Sequence, residues 1–97
     1  MTDDKLDEAI SRGARAERLV SDDLLQEAFD ALERDYVRGW RDTGARDTDA
    51  RERLWQALHI VAKVRAHLAA AVSNGKLAQR ELDDLSQGGR KRFFGVV

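Results

Sequence analysis

The side chains in this sequence that could do chemistry are few and widely spaced. His59 and His67 are eight residues apart, about 12 Å along one helix, which is too far for both to bind one metal ion within a chain. The absence of cysteine removes thiolate nucleophiles and cysteine-ligated zinc. No serine lies in a recognisable nucleophile motif. We therefore expect no enzyme activity, no cofactor and no metal, and leave open only a histidine site shared between subunits.

The C-terminal end has the composition of a docking peptide. Two adjacent glycines precede three cations and two aromatic side chains, namely Arg90, Lys91, Arg92, Phe93 and Phe94. Such a segment suits an acidic or nucleic-acid partner. The alternative is that the two phenylalanines fold back and cover an unpaired end of the protein. We expect these five residues to bind another protein.

A second candidate surface lies on the longest uninterrupted stretch, Asp47 to Asn74, which contains neither glycine nor proline. Leu54, Leu58, Val61 and Leu68 belong to its main apolar stripe at helical spacing. A neighbouring face carries Trp55, His59, Ala62, Ala66 and Ala69. A lone small domain has no use for a second apolar face, so this pattern predicts self-association. The alternative is that the alanines reflect helix propensity alone.

Charge is divided unequally along the chain, although the formal net charge is only -1. Residues 1–49 contain 14 acidic and 8 basic side chains (net -6), whereas residues 50–97 contain 4 and 9 (net +5). We expect the acidic second helix to oppose the basic third. Arg65, at the edge of the main stripe, is expected to carry a structural charge: it pairs with Asp22 or Glu27, or snorkels. A nucleic-acid surface on the basic helix is the alternative.

The elements that position these residues are predicted to be helical, because proline is absent and the apolar spacing is helical. The prediction is an all-α small bundle, oligomeric, built on a long antiparallel helical hairpin with short flanking helices. Residues 1–20 form a helical arm, residues 21–86 the hairpin and a short helix, and residues 87–97 a flexible basic-aromatic tail. Within the hairpin, Ser21 caps a helix over residues 21–41. Asp47 or Thr48 caps the next helix, which ends at Asn74, and the short helix covers 76–85.

The central stretch from Ala28 to Leu82 resembles small uncharacterised helical proteins of tailed bacteriophages and prophages. The similarity is carried by Tyr36 with Trp40, by the turn Arg46-Asp47-Thr48, by Arg51 to Trp55 and by Asn74-Gly75-Lys76. This resemblance implies a viral origin and a role in virion or DNA-packaging assembly, or in interference with a host component. It implies no activity for individual residues.

Together these features predict a non-enzymatic, homo-oligomeric binding protein of phage type. Two alternatives remain open: a nucleic-acid-binding packaging subunit similar to a small terminase, and a binder that sequesters nucleotides. No apolar run is long enough to span a membrane, and the acidic N-terminus is unlike a secretory signal. The expected location is the host cytoplasm or the virion.

Overall fold

The protein is all-helical over the residues that its computed structural model describes, namely the backbone of residues 3–96 and the side chains of residues 3–87. The helices are α1 (Asp3–Val20), α2 (Asp23–Asp42) and α3 (Thr48–Val96). No strand occurs within the described backbone. The all-α prediction is confirmed.

Aspartate side chains cap the starts of α2 and α3. The carboxylate of Asp22 accepts a hydrogen bond from the backbone N–H of Leu25 at 3.0 Å, so the predicted Ser21 cap is wrong by one residue. Because α1 extends to Val20, Ser21 lies in the turn between α1 and α2. Asp47, one of the two predicted caps, accepts a bond from Ala50 at 3.3 Å. Both carboxylates also interact favourably with the positive end of the helix dipole.

The predicted end of the long helix at Asn74 is wrong, as is a separate helix over 76–85. α3 continues without interruption through Gly75, and no glycine among the described residues has a positive φ. Glycine ends a helix when it adopts the left-handed conformation. Gly75 serves a different purpose, because it lies where another helix backbone comes close.

That close approach lies within the first of two compact units, which combines α1 as far as Arg18 with α3 from Ala69 onward. A Cβ atom built on Gly13 would lie 2.7 Å from the Cα of Gly75 and 2.9 Å from the carbonyl oxygen of Ala71. Both helices therefore need glycine at this crossing. The neighbouring side chains Leu6, Ala16 and Ala78 are buried around it.

The second compact unit, Leu19–Leu68, contains α2 and the first part of α3. Val61 is buried, but no residue of α2 is. Gly39 near the end of α2 lies against Leu54, whereas Asp30, earlier in α2, contacts Arg65, later in α3. Within this unit α2 therefore contacts α3 mainly through half-buried side chains, and the apolar core is thin.

Arg51 secures the connection between α2 and α3. Its guanidinium carbon lies 4.0 Å from the ring centroid of Trp40, and its Nη1 donates to the hydroxyl of Thr43 at 3.2 Å and to the carbonyl oxygen of Trp40 at 3.4 Å. The Thr43 hydroxyl donates to the same carbonyl at 2.6 Å. These bonds satisfy a carbonyl that the end of a helix leaves without an intrahelical partner.

None of the helices in the described part of the chain combines the length and the hydropathy needed to cross a membrane.

We predict that Gly13→Ala destabilises the protein. Alanine gains about 1 kcal/mol of helix propensity over glycine, but its methyl group would meet backbone atoms at 2.7 and 2.9 Å, and overpacking of this kind costs about 1–3 kcal/mol or more. We expect a net loss of about 1 kcal/mol in urea unfolding, and a similar loss for Gly75→Ala. Gly44→Ala is the matched control, because a Cβ there has no neighbour within 4 Å. A Gly13→Ala protein as stable as the control would contradict this interpretation.

Candidate functional site

The predicted self-association residues form one exposed stripe on α3. Trp55, His59, Ala62, Ala66 and Ala69 follow a spacing of four, three, four and three residues, which keeps them on one side of a helix. All five are exposed, and Trp55 is 58% exposed. No other part of the described chain covers this face, which we name the Trp55 stripe.

Two members of the Trp55 stripe form a flat aromatic platform. The rings of Trp55 and His59 are stacked, with centroids 5.3 Å apart and planes inclined by 5°. Their separation of four residues places them on successive turns of α3, so the helix itself brings the rings together. An exposed aromatic pair of this kind has a large apolar area and N–H donors at its edge, a combination that is enriched at protein interfaces.

The alanines continue the stripe with small side chains. Ala62, Ala66 and Ala69 lie about two to four turns beyond Trp55 along the same face. Small residues allow two helix axes to approach to about 8 Å, near the lower limit for packed helices. The stripe therefore offers a bulky end, at Trp55 and His59, and a smooth end on which another helix could lie.

The balance of buried and exposed apolar side chains is unusual in this chain. The buried hydrophobic residues among those described are Leu6, Ala16, Val61 and Ala78. The large hydrophobic residues that are exposed are more numerous: Leu19, Leu24, Leu32, Trp40, Trp55, Ile60, Val64, Leu77 and Leu85. Single exposed apolar residues are ordinary, but a contiguous patch indicates an interaction site. Among these residues, Trp55 is the one that adjoins the exposed His59 and alanine side chains of the Trp55 stripe.

Arg65 is paired, but not with the predicted carboxylates. Its Nη2 lies 2.7 Å from Asp30 and its Nε lies 3.3 Å from Glu33, so the predicted partners Asp22 and Glu27 are wrong. The Nε contact is an ion pair without hydrogen-bond geometry, since this buried nitrogen has no hydrogen-bond acceptor. The guanidinium carbon also lies 5.0 Å from the Phe29 ring centroid. Arg65 thus connects α3 to α2 within the chain.

The remaining candidate residues do not form a site in the described part of the protein. His59 is stacked on Trp55, and His67 is exposed on α3. No group of three or more histidine, cysteine, aspartate or glutamate side chains suited to a metal ion occurs among the described residues. The predicted docking residues Arg90, Lys91, Arg92, Phe93 and Phe94 lie outside the described side chains.

Sequence reasoning missed two contacts that shape these surfaces. The stacking of Arg51 on Trp40 crosses the turn between α2 and α3, and a signal for it was present, since both residues flank a loop of five residues. The contact of Gly13 with Gly75 had a weaker signal, the small residues Ala9, Gly13 and Ala16 at helical spacing. Neither contact creates a catalytic or binding group.

No known protein family, curated protein or solved structure matches this chain.

We predict that Arg65→Ala lowers the free energy of unfolding by about 1 kcal/mol. The side chains of Arg65 and Glu33 are each 39% exposed and that of Asp30 is 59% exposed, so solvent screening keeps each ion pair within about 0–1 kcal/mol, and the loss of contact with Phe29 adds to this. Arg53→Ala is the matched control, because Arg53 is exposed on the same helix. Equal melting temperatures for the two variants would show that Arg65 does not hold α2 to α3.

Proposed function

We propose that this protein acts by binding and not by catalysis, and that copies of it associate through the Trp55 stripe. The observation that carries the proposal is the stacked Trp55–His59 pair, which is exposed on a rigid helix with three alanines continuing the same face. Removing such a surface from water is favourable by roughly 25 cal/mol per Å² of apolar area. Aromatic side chains presented in this way are common anchors of interfaces.

The same surface fits a second helix better than a small ligand. A stripe that runs from residue 55 to residue 69 is about 21 Å long at the usual helical rise, and it is convex. Small-molecule sites are concave. The matching occupant is another long helix with a small-residue face, and the Trp55 stripe of a second copy has that property. Two copies related by a two-fold axis would place the same residues on both sides.

In this proposal the subunit is a long antiparallel helical hairpin of α2 and α3, and the oligomer completes the small bundle. Two contacts support the antiparallel hairpin. Gly39, late in α2, contacts Leu54, early in α3, whereas Asp30, earlier in α2, contacts Arg65, later in α3. Assembly then supplies the apolar burial that the thin core of the second unit lacks. Oligomerisation is a common way for a chain of this size to gain stability.

The biological setting follows from the resemblance to phage proteins. We propose that the oligomer serves virion or DNA-packaging assembly, or interference with a host component, in the host cytoplasm or in the virion. Arg90, Lys91, Arg92, Phe93 and Phe94 would then dock on another protein.

The pairing of Arg65 makes nucleic-acid binding by α3 a weaker alternative. α3 has no carboxylate between Glu52 and Glu81, which favours a basic surface. However, Arg65 is already neutralised by Asp30 and Glu33, and the other cations of this stretch are sparse. Affinity for a nucleic-acid backbone needs several simultaneous phosphate contacts.

We predict that Trp55→Glu weakens self-association by about 30-fold, the effect of losing an interface anchor worth roughly 2 kcal/mol. Ile60→Glu is the matched control: Ile60 is 60% exposed, close to the 58% of Trp55, but lies on another side of the same helix. The measurement is mass by sedimentation equilibrium over a concentration series, with absorbance at 260 nm to detect nucleic acid. A monomeric wild-type chain, or equal weakening by both variants, would refute self-association through this stripe.

A further inference from the structure

The outer face of α2 has a charge pattern that is divided into two halves. Six exposed charged residues lie within about 80° of one another at the usual 100° per residue. They are Asp23, Glu27, Asp30, Arg34, Arg38 and Arg41. The three acidic residues come first along the helix and the three basic residues follow. Each half spans eight residues, from Asp23 to Asp30 and from Arg34 to Arg41.

The basic half is not neutralised within the chain. Among the described side chains, Arg34, Arg38 and Arg41 form no ion pair, whereas Asp30 pairs with Arg65. Isolated cations on a helix are usually solvated. Here, however, the three arginines and Val37 line a shallow, open groove on α2, together with Asp42 and other residues of the helix. The groove gives incoming side chains room beside the three guanidinium groups.

From this arrangement we infer that the outer face of α2 is a second self-association surface, which binds the α2 helix of another copy in antiparallel orientation. This inference deepens the proposed function and rests on it, because it names a further interface of the same assembly. The centre of the pattern lies near residue 32. A two-fold axis there brings Asp23 opposite Arg41 and Glu27 opposite Arg38. Asp30, which also pairs with Arg65 within its own chain, lies opposite Arg34.

The geometry of the pairs is consistent with such an axis. The residue numbers of the three pairs sum to 64, 65 and 64, so the mismatch along the helix is about one residue, or about 1.5 Å. Long charged side chains can absorb a shift of this size. Ala31 lies at the level of the axis, at the edge of this face, where its small side chain leaves room for the charged side chains. Leu24, which is 74% exposed, would be partly covered at each end.

A second copy suits this face better than a nucleic acid does. Asp42 lines the same groove as the arginines, and its charge repels phosphate. A parallel copy is also disfavoured, because it would place acidic residues against acidic residues. Like charges across an interface suppress the wrong partner or orientation. Of the two orientations, only the antiparallel one places the acidic half of the face opposite the basic half.

The test exchanges the charges of one pair, Glu27 and Arg38. Both residues lie inside the helix, away from its capped end. We expect Glu27→Lys and Arg38→Glu each to weaken α2 pairing about tenfold or more. An equimolar mixture of these two variants, and the chain carrying both substitutions, should each recover association. Glu17→Lys and Arg12→Glu on α1 are matched controls for net charge, since both residues are exposed.

The measurement is sedimentation equilibrium at about 0.1 M and about 1 M NaCl, where the Debye length is about 10 Å and 3 Å. Association through α2 should weaken at the higher salt concentration. Circular dichroism on each variant checks that the helices are intact. The pairing of α2 helices is refuted if the loss of association in the doubly substituted chain equals the sum of the two single losses. It is also refuted if the single variants associate as strongly as their controls.

Repeating the series with Trp55→Glu separates this inference from the proposed function. A Trp55→Glu chain that still forms a salt-sensitive dimer supports the α2 surface. A Trp55→Glu chain that is monomeric at low salt overturns the α2 surface and leaves the Trp55 stripe supported. If the Trp55→Glu chain has the same mass as wild type, association through the Trp55 stripe is refuted. The exchange of Glu27 and Arg38 then still tests association through α2. Loss of duplex DNA binding in Arg38→Glu, without a change in mass, would assign the arginines to nucleic acid and refute the inference.

Discussion

The contact of Gly13 with Gly75 brings two helix backbones close together, and the packing of the first unit depends on it. A Cβ on either residue would lie under 3.0 Å from the other backbone, so the two helices can meet only where both lack a side chain. This contact places Leu6, Ala16 and Ala78 in the small buried core. It also explains why α3 runs through Gly75 without a break. Dispersion between closely packed backbones supplements the small apolar area that these side chains bury.

The second unit is held in a different way, by cations that lie against aromatic rings and carboxylates. Arg51 connects the end of α2 to the start of α3 through Trp40, and Arg65 connects the helices farther along through Asp30 and Phe29. Such contacts fix the register but contribute little apolar burial. Val61 is the buried hydrophobic residue of this unit, and the stripe on α3 that carries Trp55 stays exposed.

The candidate site was largely predictable, because it depends on local geometry. Residues spaced by three and four lie on one face of any helix, so the members of the Trp55 stripe could be named before any contact was known. The partners of Arg65 could not. Its pairing depends on the register between α2 and α3, which the turn over residues 43–47 and the contact of Gly39 with Leu54 determine. An error of about one to two turns in that register changes the predicted partners from Asp22 and Glu27 to Asp30 and Glu33.

The sequence by itself determined that this chain is helical, and it located the starts of α2 and α3 to within one or two residues. It also determined which face of α3 has apolar side chains in addition to the main stripe. These properties follow from proline content, capping residues and periodicity, all of which act over a few residues. The tertiary structure alone decided the role of Gly75. Glycine can end a helix by adopting a positive φ, or it can remain helical and admit a neighbouring backbone. Gly13, which is distant in sequence but adjacent in space, is the reason that Gly75 stays helical and admits a neighbouring backbone.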